Sequence, residues 1–177
     1  MSFADIVSRI KNERGLAKQV PGFDPSNGNE DAKYLFLLEA PGPGALDTGM
    51  ISFDNPDPTA SNFRNQLSRA GITRDEIAIW NIVPWYIGNV AGNGIRAATA
   101  ADVHEGMEYL DPLIAAMRYL RCVVLVGSAA RRAHMHLSRI TTARIVTCHH
   151  PSARAHARNQ HATNENIELF CYLKTSL

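Results

Sequence analysis

Apolar residues in this chain fall into two alternating patterns. Phe3, Ile6, Val7 and Ile10 recur at helical spacing, so the first eighteen residues predict an amphipathic helix. Four later runs are short, continuous and rich in branched or aromatic side chains: Lys33 to Glu39, Ile77 to Val83, Cys122 to Val126 and Arg144 to Cys148. Such runs read as strands buried on both faces. Between them lie helical stretches. The first has Thr59 or Ser61 as its cap, Phe63 and Leu67 facing inward and Gly71 beyond its end. The second opens at Thr99-x-x-Asp102, a capping-box pattern, and Pro112 kinks or divides it. Ser128 to Ser138 and Asn164 to Leu173 follow, while Val20 to Asp31 and the stretch from Glu39 to Pro58 read as loop.

Strands alternating with helices predict an α/β fold, a three-layer α/β/α arrangement around a central, largely parallel four-stranded sheet. With 177 residues, the expectation is a single domain over 1–177 that buries a sizeable core, a monomer by default. No run approaches the apolar length of a membrane span, and Met1-Ser2-Phe3-Ala4-Asp5 lacks the features of a secretory signal. A cytoplasmic protein without membrane partners is expected. Cys122, Cys148 and Cys171 form no CxxC pair, so reduced cysteines and no metal site are expected.

Charge divides unevenly along the chain. Met1 to Met117 carries nine Lys+Arg against fifteen Asp+Glu, and Arg118 to Leu177 carries nine against two. The last third also holds six of the seven histidines. Such a bias suits a polyanion such as DNA, and it equally suits a solvated helix face balanced by acids in space.

Chemistry concentrates where strands end. Glu39-Ala40-Pro41-Gly42-Pro43-Gly44, Asn81 and His149-His150-Pro151-Ser152 each follow a strand run, and ligands of open α/β sheets bind at that edge. Neither GxGxxG nor GxxxxGK[ST] is present, which argues against a nucleotide phosphate loop at Gly42 and Gly44.

Leu38-Glu39-Ala40-Pro41-Gly42 resembles the GEAPG loop of the bacterial and archaeal family 4 uracil-DNA glycosylases, with Leu38 for the first glycine. Asn81-Ile82-Val83 resembles the Asn-Ile-Val that ends their second core strand, and His150-Pro151-Ser152 resembles their HPS motif. Val123 to Ala130 is similar to the strand, glycine and helix start between those motifs, and order and approximate spacing agree from about Lys33 to Ser152.

The resemblance implies hydrolytic removal of uracil or a related deaminated base from DNA, without a cofactor. His150 would donate to uracil O2, a stabilisation worth about 2.7–4 kcal/mol for a good donor. The plain alternative is a histidine that caps its loop, and His149 is the competing neighbour. Asn81 would read uracil O4 and N3, or it terminates a strand by bonding its own backbone. Ala40, Pro41 and Gly42 would hold base and water, and Phe53 would stack on the base or simply anchor its loop. Arg154 or Arg158 would fill the gap left by the extruded base or, with Ser152, meet DNA phosphate, and the alternative is a basic tether leading into the last helix.

Departures from the family are specific. The cysteines of its [4Fe-4S] cluster have no counterpart here, so no cluster is expected. The Asp that precedes the motif proline in the best-known enzymes is Ala40, leaving Glu39 or Asp47 to supply the acid. The loop after the HPS motif lacks the Leu that wedges into duplex DNA in the classical enzymes. No Lys is placed for a Schiff base, which favours a monofunctional glycosylase. A glycosylase-fold protein that binds DNA or a nucleobase with weak or no catalysis is the alternative.

Overall fold

The computed structural model describes residues 1–15, 19–88 and 95–177. Its strands are β1 (Gly22–Phe23), β2 (Tyr34–Leu38), β3 (Met50–Ile51), β4 (Ile77–Asn81), β5 (Cys122–Val126) and β6 (Arg144–Cys148). Its helices are α1 (Phe3–Arg14), α2 (Pro43–Thr48), α3 (Pro58–Arg69), α4 (Ala100–Met107), α5 (Leu110–Ala116), α6 (Gly127–Arg131), α7 (His134–Ile140), α8 (Ala153–Arg158) and α9 (Ala162–Ser176).

The central sheet has the order β4-β2-β5-β6 with every pairing parallel, as the apolar runs predict. Alternation along β2 assigns its faces. Phe36 meets Phe63 of α3 and Phe170 of α9 edge to face, and the Tyr34 hydroxyl donates to the Leu173 carbonyl of α9. On the opposite face Trp80, beside Leu37 in register, stacks on Phe23, which stacks on Phe3 of α1. Helices thus cover both faces, and the core is one continuous apolar cluster.

Several boundaries differ from the sequence reading. The first helix ends at Arg14, where Gly15 adopts a left-handed cap, and the remaining positions 16–18 of the expected helix lie outside the described residues. The helix after the first loop is capped by Asp57, not Thr59 or Ser61: the Asp57 carboxylate accepts from the Ala60 N–H, and Pro58 fills the first turn. The expected helix Ser128 to Ser138 is two helices, α6 and α7, because the backbone tightens at Arg132 and Ala133 into i→i−3 bonds. The closing helix α9 runs longer than Asn164 to Leu173 at both ends. Two stretches read as loop pair as β1 and β3, and Pro43–Thr48 is helical.

Parallel pairing puts the carboxyl ends of β2, β4, β5 and β6 along one edge. Leu38 is level with Asn81, and Val126 with Cys148. The chain leaves β2 toward β4 and leaves β5 toward β6, so connections diverge between the two central strands. That divergence marks the switch point at which the crevice of such sheets usually holds its ligand.

Candidate active site

Asn81 ends β4 with its side chain turned inward. It is 2 % exposed, and its Nδ2 has no hydrogen-bond partner. A buried amide donor left without a partner costs about 1–3 kcal/mol, so the position stores a demand for an acceptor. The strand end around it is rigid: the Ile82 N–H donates to the Leu38 carbonyl and the Val83 N–H to the Glu39 carbonyl, extending the β2–β4 pairing past Asn81. Helix α4 presses on the same turn, since a Cβ on Gly106 would fall 1.8 Å from the Ile82 carbonyl oxygen.

His149 and His150 point in different directions. His149 is half-exposed, and its Nε2 lies 2.6 Å from the Glu165 carboxylate. His150 is partly buried and packs on Gly127 at the end of β5. The Ser152 N–H donates to its Nδ1 at 3.3 Å, which assigns the ring proton to Nε2. Burial pushes the His150 pKa down, while the carboxylates of Glu39 and Asp57 pull the other way. A neutral imidazole with an Nε2–H donor is the outcome.

The backbone that carries His150 is clamped from α9 and α3. Asn166, almost fully buried, accepts from the His149 N–H at 2.9 Å through Oδ1. Its Nδ2 donates to the His149 carbonyl at 2.9 Å and to Gln66 Oε1 at 3.0 Å. Asn62 of α3 donates to the Pro151 carbonyl at 3.0 Å. Neither Asn166, Gln66 nor Asn62 stood out in the sequence, where each is one polar residue on a helix.

The motif loop after β2 supplies shape and charge. Pro41 is buried, and Ala40 packs against the core. Gly42 has an ordinary φ of −82°, so the loop does not use the conformational freedom of glycine there. Glu39 Oε1 accepts from the Ala98 N–H at 2.7 Å, tying the loop to the start of α4. Asp47 is exposed on α2, and the carboxylates that act on His150 are Glu39 and Asp57.

Asp57 is a carboxylate near His150 that the sequence reading did not single out. Its Oδ1 caps α3, and its Oδ2 lies 3.6 Å from where a Cβ on Gly44 would sit, against the motif loop. The signal was present as Asp-Pro, an N-cap followed by proline in the first turn. Phe53 is buried with the Arg74 guanidinium 4.4 Å over its ring, and Arg74 is held in turn by Asp24 and Asp54. Ser152 caps α8 through the Ala155 N–H, and Arg154 and Arg158 are exposed on that helix. A small solvent-open depression beside the His150 loop is lined by Gln66, His150, Ser152, His156 and Asn166 among others.

The family model described as the uracil DNA glycosylase superfamily matches residues 25–174. The chain belongs to the uracil-DNA glycosylase superfamily. Comparison with curated proteins finds no match. The matched span contains all three strand-end motifs, and the superfamily's general theme is hydrolytic glycosidase chemistry in DNA repair. Among the described residues no group of three or more His, Cys, Asp or Glu side chains is placed to hold a metal ion, and no helix is long and apolar enough to cross a membrane.

Proposed function

We propose that this protein is a monofunctional DNA glycosylase that hydrolyses the N-glycosidic bond of uracil or a related deaminated base in DNA. The observation that carries the reading is the pairing, on one sheet edge, of a buried Asn81 whose Nδ2 lacks an acceptor with a neutral His150 whose Nε2–H is free to donate. An amide that must find an acceptor while offering a carbonyl matches the O4 and N3–H edge of uracil. When the C1′–N1 bond breaks, its electron pair moves onto the base and charge gathers on O2. The His150 Nε2–H meets that charge, and water adds to C1′.

Glu39 and Asp57 supply negative charge near the sugar as it becomes cationic, and either can accept the proton of the attacking water. Lys33 and Lys174 are both bound to Glu76, at the sheet's amino edge, which supports hydrolysis by water over a Schiff base. Exposed Arg154 and Arg158 on the helix that follows His150 suit phosphate contacts. Cys122 and Cys148 are free, with thiols pushed up to about 12 by burial, and unreactive thiols fit work in the cytoplasm.

Ala40, which puts no acid before the motif proline, favours a second reading of binding without turnover. Base release from single- and double-stranded oligonucleotides carrying uracil, hypoxanthine or xanthine separates the two. The glycosylase reading expects release by the wild type and loss in both Asn81→Ala and His150→Ala. No release with DNA binding retained selects the second reading.

A further inference from the structure

Among the described residues five large apolar side chains are exposed: Met1, Ile95, Tyr119, Met135 and Tyr172. Tyr119 precedes β5 and Tyr172 lies by Arg144 at the start of β6, which puts both at the amino edge of the sheet. Met1 is the terminus, and Met135 sits on α7 next to His136, which pairs with Asp111. Ile95 stands apart. Its side chain is among the exposed ones at 42 %, yet its Cδ1 lies 3.9 Å from where a Cβ on Gly42 would be, beside the motif loop that follows β2.

The backbone at Ile95 is held on both sides. Ile95 forms an antiparallel bridge with Gly88. Arg96 makes two bonds to the Asp102 carboxylate, at 2.6 and 2.8 Å, and the Ala98 N–H is bound by Glu39. An apolar side chain held in place outside the pocket loses little freedom on entering an apolar environment. Helix α8, on the far side of His150, offers Ala153, Arg154, Ala155, His156, Ala157 and Arg158, with no large aliphatic among them.

Extruding a base from a duplex leaves a gap in the stack, and apolar side chains such as isoleucine are suited to fill it. We propose that Ile95 is the residue that enters the DNA stack when a base is drawn into the crevice. This inference rests on the glycosylase reading of the same edge. It makes Ile95 a determinant of duplex use, with no part in breaking the glycosidic bond.

The test uses duplex and single-stranded oligonucleotides with 2-aminopurine next to uracil, and compares wild type with Ile95→Ala and Ile95→Leu. A fluorescence rise on binding reports unstacking without any need for catalysis. The expected result is a loss of about tenfold or more in duplex release and of the fluorescence rise for Ile95→Ala, the scale of one lost aliphatic contact. Single-strand release stays within about twofold, and Ile95→Leu restores the duplex rate. Equal losses on both substrates, or an unchanged duplex rate, overturn the proposal. If the wild type releases no base from either substrate, the glycosylase reading fails and the fluorescence alone decides the wedge. A rise lost in Ile95→Ala upholds it, and an absent or unchanged rise overturns it.

Discussion

Gly127 and His150 are in contact across the ends of β5 and β6: a Cβ on Gly127 would lie 3.2 Å from the His150 Cβ and 3.4 Å from its Cδ2. Gly127 also has a φ of +82°, a backbone state that L side chains rarely adopt. Two independent demands therefore fall on one position. It must turn the chain from strand into helix α6, and it must leave room for the imidazole.

Gly127→Ala is expected to cost about 1–3 kcal/mol of stability from backbone strain, and to displace the His150 ring. A displacement approaching 1 Å at a reacting group lowers rates about 100-fold. Thermal melting and base release together check this, and full activity in Gly127→Ala would show that the contact does not position His150.

Because burial pushes the His150 pKa below its ordinary 6.5, the neutral donor form persists on the acid side of that value. Base release is expected to be level from alkaline pH through about 6.5 and to fall only below it. His150→Gln should lower the rate about 10²–10³-fold and remove that acid limb. Stability follows the same sign. The unfolded chain takes up the proton first as pH falls through 6.5, so the wild type loses stability there relative to His150→Gln. A limb that survives in His150→Gln assigns the titration to another group.

Asn81 and His150 came into view because both sit where strands stop. Asn81 ends the buried β4, and His150 lies beyond β6, which is an edge strand with Arg144 and Thr147 exposed and not a strand buried on both faces. Continuous apolar runs located β2, β4, β5 and β6, and their ends carried Asn81 and His150 into view. What the sequence could not reveal depends on contacts between distant segments. Which of His149 and His150 turns inward is decided by Asn166 and Glu165 on α9 and by Gly127 on the neighbouring strand. Asp57 was hidden by Thr59 and Ser61, equally good cap formers within a few residues, and only tertiary packing reveals its proximity to Gly44. The break between α6 and α7 has no Pro or Gly to announce it.

Asn166→Ala is expected to destabilise the protein by about 2 kcal/mol, because it leaves the His149 backbone N–H and carbonyl and the Gln66 side-chain Oε1 without their partner. Base release should fall more than stability alone explains, since His150 follows His149 directly. Denaturant unfolding measures the first effect and a base-release assay the second, while hydrogen exchange at the His149 amide reports whether the clamp is lost. Unchanged protection at that amide would mean that the strand end holds without its clamp.

Glu76 ties the amino edge of the sheet to α9. It binds Lys33, Lys174 and the Thr73 N–H, and despite the opposing effect of burial these bonds hold its pKa down at about 2. With the folded pKa below the ordinary 4.5, its contribution is complete above 4.5 and is lost as pH falls toward 2. Glu76→Gln is expected to cost about 2 kcal/mol at neutral pH, a figure discounted because both lysines are more than a third exposed. The variant and wild type should converge only as pH falls to about 2. Parallel stability curves across that range would remove Glu76 as the cause.

On the glycosylase reading Asp57 has two duties that one substitution separates. As the cap of α3 it needs an oxygen acceptor for the Ala60 N–H, which Asn supplies about as well as Asp. As a carboxylate beside Gly44 and within the field of His150 it needs its charge, which Asn lacks. Asp57→Asn is therefore expected to melt within a few tenths of a kcal/mol of wild type while base release drops about 100-fold, the scale set by losing a general base. Asp57→Ala should lose both, with a further cost of about 1 kcal/mol from the missing cap. Glu39→Gln provides the comparison, because its Oε1 bond to Ala98 survives in the amide. If Glu39→Gln loses the activity and Asp57→Asn keeps it, the acid that replaces the missing one at Ala40 is Glu39.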